Sequence, residues 1–176
     1  GQVTDMGWMF RSVTAFNQPL SAWNTAKVTD LSSCFASCVE FNQPLDSWDV
    51  GQVTDMGYMF EGASNFNSKI EDWHVDKVSY MQGTFDGAIH FNQPIESWNV
   101  GQVSSTYNMF GNSGGLMRGF NKRVVHATFE AQVPSVWTYE WSDANDSPPA
   151  TPPPPLPPPP ARTPNWFGDG SCALAH

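Results

Sequence analysis

The apolar positions of this chain fall into columns. Phe-Asn recurs at Phe16-Asn17, Phe41-Asn42, Phe66-Asn67 and Phe91-Asn92, a step of 25 residues each time. The same step carries Trp23, Trp48, Trp73 and Trp98, the valines from Val3 to Val103, and the phenylalanines Phe10, Phe35, Phe60, Phe85 and Phe110. No insertion or deletion interrupts the register between Gly1 and Phe110. One unit reads F-N-Q-P-L-x-x-W-D-V-x-x-V-T-D-M-x-x-M-F-x-x-A. A period of this length marks a solenoid or array of stacked units and is too short for a four-stranded propeller blade. Such a unit cannot bury its apolar side chains alone, and stacking on its neighbours supplies the rest of the core.

Within a unit the hydrophobic spacing predicts two elements. Met56, Met59, Phe60 and Ala63 stand at i, i+3, i+4 and i+7, one face of a short helix. Thr54 is placed as its N-cap, with Thr4, Thr29, Ser79 and Ser104 in the same role. Asp5, Asp30 and Asp55 follow in the first turn, where the helix dipole favours a carboxylate. Leu45, Trp48 and Val50 fit the L-x-x-L-x-L strand of leucine-rich repeats, with Trp in the middle slot. Parallel strands stack about 4.8 Å apart, so like residues form ladders. Asn17, Asn42, Asn67 and Asn92 make one such ladder, expected to serve turn backbone. The resulting expectation is an α/β repeat solenoid, a leucine-rich-repeat-like right-handed coil of 25-residue units over residues 1–110.

The register then decays. Thr106 replaces an apolar residue, and the next Phe-Asn arrives late, at Phe120-Asn121. Residues 111–141 are expected to form a degenerate C-terminal cap, since a terminal unit must close the core. Gly1 falls in mid-unit, which suggests further repeats ahead of it. Eleven of the 15 prolines lie between Pro148 and Pro164, so residues 142–164 read as a disordered, polyproline II-like linker. A spacer role is the first reading of that segment, and a docking ligand for a polyproline-binding domain the second. Residues 165–176 are left unassigned, and Cys172 there has no evident role.

The units Phe41–Phe60 and Phe91–Val103 closely resemble the repeats of BspA-like surface proteins, a repeat shared with a family of mycoplasma lipoproteins. The resemblance covers Gly1 to about Phe110. It implies a leucine-rich-repeat-like solenoid displayed on a cell surface, with adhesion to host proteins and cell aggregation as the activities associated with some members. The family pattern holds no catalytic residues.

Composition narrows the partners. Eight basic against 17 acidic residues give a net charge of −9, the wrong sign for a nucleic-acid phosphate backbone or an anionic membrane surface. No apolar run reaches the roughly 18 residues of a membrane span. Aromatic residues make up 14% of the chain, too many for a wholly disordered protein. The three cysteines are too few for a disulfide framework. Cys34 and Cys38 occupy columns held elsewhere by Met, Val and Ala, so they read as core and not as a metal or redox pair.

The expected contact surface flanks the Trp column, where alternate strand residues face outward. It comprises Asn24, Ser47, Asp49, Asp72, His74, Ser97 and Asn99, a small, mildly acidic strip. Trp8 and Tyr58 join it, because their column varies and a varying column reads as solvent-facing. Nothing provides a nucleophile, an oxyanion hole or a cofactor fingerprint. The chain therefore reads as a non-catalytic extracellular module, without metal or cofactor, that binds protein or glycan. The alternatives are an intracellular scaffold recruiting partners through its prolines, and a non-catalytic part of a larger enzyme.

Overall fold

The computed structural model describes residues 2–112 and 120–137. All lie in the first of the two units into which the chain divides, Gly1–Ser142 and Asp143–His176. The proline-rich linker, the unassigned tail, Cys172 and parts of the expected cap lie outside the described residues.

Successive 25-residue units lie side by side in parallel register. Asp5 bridges Asp30, Asp30 bridges Asp55, Asp55 bridges Tyr80 and Tyr80 bridges Ser105, all parallel. We number the coils 1 to 5, beginning at residues 1, 26, 51, 76 and 101. Coil 3 shows how they join. The amides of Met56, Tyr58, Phe60 and Gly62 donate to the carbonyls of Tyr80, Gln82, Thr84 and Asp86 in coil 4, at 3.0, 2.8, 2.9 and 2.6 Å. The alternate amides bond within the coil: Met59 to Met56, Glu61 to Tyr58 and Ala63 to Phe60. Every second N–H thus joins the next coil and every other one closes a four-residue turn.

This pattern replaces the helix expected over Met56–Ala63. Tyr58 and Gly62 have φ of 57° and 64°, and their counterparts in the other coils share that left-handed conformation. An α-helix cannot contain a left-handed residue every fourth position. A turn of type II requires one at its third position. The two turns 56–59 and 60–63 each point their first and last residues inward. Those positions are i, i+3, i+4 and i+7, the same four that define a helical face. Met56, Met59, Phe60 and Ala63 are indeed all buried.

The strand expected over Leu45–Val50 is likewise absent. The Trp48 amide donates to Leu45 O at 3.0 Å and the Val53 amide to Val50 O at 2.9 Å, closing two more turns. The expected N-caps have a different role too. Both the amide and the hydroxyl of Thr29 donate to Thr4 O, and both those of Thr54 to Thr29 O. Among the described residues the one α-helix is α1, Phe120–Gln132.

Aromatic rings fill the interior in two columns. Phe10, Phe35, Phe60, Phe85 and Phe110 stack with centroids 5.6–5.7 Å apart. Phe16, Phe41, Phe66 and Phe91 stack at 5.8–6.1 Å. The columns touch within each coil, as where Phe60 meets Phe66 at 3.8 Å. Offset stacking of this kind adds to the area buried by each ring. Trp48, Trp73 and Trp98 are buried beside them, and each indole N–H donates to a carbonyl of the preceding coil, Leu20, Leu45 and Ile70 respectively.

α1 meets the last turns of the stack. Gln132 Nε2 donates to Trp98 O at 3.1 Å while its Oε1 accepts from the Val100 amide at 2.8 Å. Thr106 Oγ1 donates to Val136 O, and Trp137 packs edge-on to Phe110 and Phe129. Thr106, which breaks the apolar column in the sequence, is thereby a buried donor matched to this closing segment.

Candidate functional site

The strip predicted beside the Trp column is exposed. Asn24, Ser47, Asp49, Asp72, His74, Ser97 and Asn99 all face solvent, beside the buried indoles of Trp48, Trp73 and Trp98 and the exposed one of Trp23. Their backbone runs through turns and irregular segments, not a sheet. Most of their polar atoms also have structural partners. Asn24, Asp49 and Asn99 accept from the amides of Ala26, Gly51 and Gly101 through their Oδ1 atoms, at 3.2, 2.9 and 3.2 Å. These are Asx turns, in which a short side chain ties down backbone two residues on. Ser47 and Ser97 donate to the carbonyls of Ser21 and Glu71. His74 stands at the same position in coil 3. No hydrogen bond among the described residues joins two members of the strip.

Next to this strip runs a column of acids, Asp46, Glu71 and Glu96. A cavity of about 200 Å³ opens there, lined by Asp46, Lys69, Ile70, Glu71, Asp72 and Trp73. One carboxylate oxygen each of Glu71 and Glu96 is buried without a hydrogen-bond partner. Among the described residues no group of three His, Cys, Asp or Glu side chains is placed to hold a metal ion.

The Asp5–Asp30–Asp55 column also departs from expectation. Each Oδ1 accepts from the amide two residues on, Gly7, Ser32 and Gly57, at 2.7–2.8 Å. An Asx turn, and not a helix dipole, explains an acid there.

Trp8 and Tyr58 share a column with Ser33, Gly83 and Asn108. All five have positive φ, between 53° and 64°. The column's backbone is left-handed in all five coils, and exposure along it is uneven, with Ser33 and Gly83 buried. Trp8 is exposed, with the Arg11 guanidinium 4.2 Å over its ring. Tyr58 is only half-buried, because its ring lies against Gly83 of the next coil. A Cβ on Gly83 would sit 2.4 Å from Tyr58 Cδ1, so the ring fills the space a side chain would need.

Two exposed rings were missed by sequence reasoning. Tyr80 and Tyr107 are 51% and 69% exposed. Tyr80 takes the bridge position held by Asp in coils 1 to 3, and Tyr107 the position held by Gly7 and Gly57. Both were legible as departures from an otherwise small or polar column. With them, coils 1, 3, 4 and 5 each carry one aromatic ring within the four-residue span that opens the inter-coil ladder.

Cys34 and Cys38 are buried and unlinked. Burial raises the Cys34 thiol far above its usual range, and the nearby Cys38 and Asp30 charges add to that. Burial also pushes the Cys38 thiol up, to about 11, against a smaller lowering by a backbone hydrogen bond at Val13. Both are therefore neutral thiols at physiological pH, the protonation state of inert core cysteines.

These features define a tandem-repeat protein whose side-chain chemistry is spent mostly on stacking one unit against the next. The chain belongs to the family described as Mycoplasma protein of unknown function, DUF285, whose model matches residues 1–78 and 46–133. No curated protein and no solved structure matches it.

Proposed function

We propose that this chain is a non-catalytic interaction or adhesion module. It works at a cell surface and binds protein or glycan through a repeated face of a right-handed, leucine-rich-repeat-like solenoid. The BspA-like surface proteins that its units resemble are the functional analogue. One observation carries the reading: Trp8, Tyr58, Tyr80 and Tyr107 place an aromatic ring on four of the five coils, close to one ladder. Rings on a surface whose backbone groups are already paired offer apolar area with a polar tip, the composition of contact hot spots. Repetition along the stack turns weak single contacts into avidity. The acidic strip from Asn24 to Asn99 flanks the Trp column and supplies polar contacts.

The test is a panel of immobilised glycans and extracellular matrix proteins probed with the full chain. A ligand retained on the panel is expected to lose at least about tenfold in affinity with the variant carrying Trp8→Ala, Tyr80→Ala and Tyr107→Ala, about 1.4 kcal/mol. The variant with Asp49→Asn, Asp72→Asn and His74→Gln measures the share of the strip. Retention of no ligand, or binding unchanged in both variants, rules this reading out.

A further inference from the structure

The coils alternate in kind. Gly-Gln-Val opens coils 1, 3 and 5 at Gly1, Gly51 and Gly101, a step of 50 residues, whereas coils 2 and 4 carry Lys27 and Lys77 in place of the Gln. The inward column of Met9, Met59 and Met109 is interrupted in the same two coils, by Cys34 and Thr84. Surface rings follow this longer period. The first turn of each coil, 56–59 in coil 3, places its two middle residues away from the core. In coils 1, 3 and 5 that pair holds one ring, as Gly7-Trp8, Gly57-Tyr58 and Tyr107-Asn108. In coils 2 and 4 it holds none, as Ser32-Ser33 and Gln82-Gly83. Trp8 and Tyr107 are 60% and 69% exposed, and Tyr58 is half-buried against Gly83. Tyr80 stands outside this row, at the bridge position of coil 4. Acceptors border the row. Asp5, Asp30 and Asp55 each spend Oδ1 on a backbone amide, and their Oδ2 atoms have no hydrogen-bond partner among the described residues.

We propose that Trp8, Tyr58 and Tyr107 form a platform for a neutral, β-1,4-linked polysaccharide lying along the stack. The proposal rests on the adhesion reading above and names the ligand class of that face. Parallel ladders repeat about every 4.8 Å, so rings on alternate coils stand about 10 Å apart, close to the length of two residues of an extended hexose chain. In a β-1,4-linked chain each hexose is turned over relative to the last, so the same ring face returns at every second residue. That apolar C–H face stacks on an aromatic ring, and the hydroxyls at its rim donate to the free carboxylate oxygens beside the row. Rings held on a hydrogen-bonded backbone lose little freedom on binding. Chains linked α-1,4 or β-1,3 curl, so they do not keep equivalent faces on a straight row. A polyproline II helix repeats over three residues of about 3.1 Å each, a similar length, so spacing alone does not separate it from a glycan. Its prolines have no N–H to offer the acceptors, and this favours the hydroxyl-rich ligand. An anionic glycan would meet the aspartates with like charge.

The test is calorimetric titration of the full chain with cello- and N-acetylchito-oligosaccharides. Rings on alternate coils meet the first, third and fifth residues of a bound chain. In at least one of the two series, affinity is therefore expected to rise at the trisaccharide and again at the pentasaccharide, with the tetrasaccharide close to the trisaccharide. The pentasaccharide should bind at least about tenfold more tightly than maltopentaose, laminaripentaose or decaproline. Trp8→Ala and Tyr107→Ala each remove an exposed ring and should return the pentasaccharide to the affinity of the trisaccharide, with the circular dichroism of the chain unchanged. Tyr80→Ala should leave pentasaccharide binding as it is. Equal losses from Tyr80→Ala and Tyr107→Ala overturn the two-coil row, and equal binding of maltopentaose or laminaripentaose overturns the match to a straight chain. Tighter binding of decaproline assigns the row to a polyproline II partner instead. Retention of a matrix protein with no affinity for either oligosaccharide series sinks this inference and leaves the adhesion reading standing, whereas retention of no ligand at all removes both.

Discussion

The asparagine after each Phe of the second ring column shows what a single side chain contributes here. Asn42 Oδ1 accepts the Asn67 amide of the next coil at 2.8 Å, and Asn67 Oδ1 does the same for Asn92. Asn42→Ala removes that acceptor and should cost about 1–3 kcal/mol in urea denaturation, while Asn42→Asp, which keeps an acceptor oxygen, should cost less. Equal losses in the two variants would detach the ladder from stability. Trp48→Ala should cost roughly 3–5 kcal/mol as a buried large-to-small change, and more than Trp23→Ala, whose ring is 40% exposed. A loss below about 1 kcal/mol for Trp48 would mean its ring is not core. The cysteines give a pH signature. Cys38 titrates near 11 in the folded chain against 9.0 when unperturbed. The unfolded chain therefore gives up that proton first. Stability should be unaffected by this group below pH 9 and fall as pH rises from 9 towards 11. Cys34→Ala/Cys38→Ala should flatten that fall, and peptide-resolved alkylation at pH 8 should find both native thiols protected relative to the urea-unfolded chain.

At the scale of elements, the sequence revealed which residues face inward but not the backbone that points them there. The i, i+3, i+4, i+7 spacing of Met56, Met59, Phe60 and Ala63 fits one face of a helix and equally two successive turns. Only the left-handed residues at the third turn positions separate the two, and in this chain they are Trp, Tyr and Ser as often as Gly or Asn. Those residues seldom announce positive φ. Leu45 and Trp48, spaced as in a strand, close a turn for the same reason: the spacing fits both. The Asn ladder was legible because it depends on column identity alone. Of the candidate surface, the exposed strip was legible from its alternation with Trp, while Tyr80 and Tyr107 showed only as departures from small or polar columns, with no repetition to mark them as surface. The turn backbone is testable at Gly83, where φ is +60° and the Tyr58 ring fills the side-chain space. Gly83→Ala should destabilise by roughly 1–3 kcal/mol, and adding Tyr58→Ala should recover part of that, a coupling of at least about 0.5 kcal/mol in a double-mutant cycle. Strict additivity would place the cost in the backbone alone.

Across the whole molecule, stability runs along the stack. Each coil bonds only to its neighbours, so disruption at one end should propagate inward. α1 ties the last coils through Gln132, whose amide group both donates to Trp98 O and accepts from Val100 N. Gln132→Leu should cost about 2–4 kcal/mol and speed hydrogen exchange in coils 4 and 5 before coils 1 and 2. A uniform change along the chain would show a single cooperative block instead.

The ring of Tyr58 resting in the space above Gly83 also bears on how such a gene can change length. In-frame loss of one unit by unequal recombination normally leaves two matching surfaces. Loss of residues 51–75 would seat Ser33 against Gly83, which nothing obstructs. Loss of residues 76–100 would instead bring Tyr58 against Asn108, a residue with a side chain where the glycine left room. At this pair of coils, loss of the ring-bearing unit should therefore be tolerated better than loss of the unit that receives the ring.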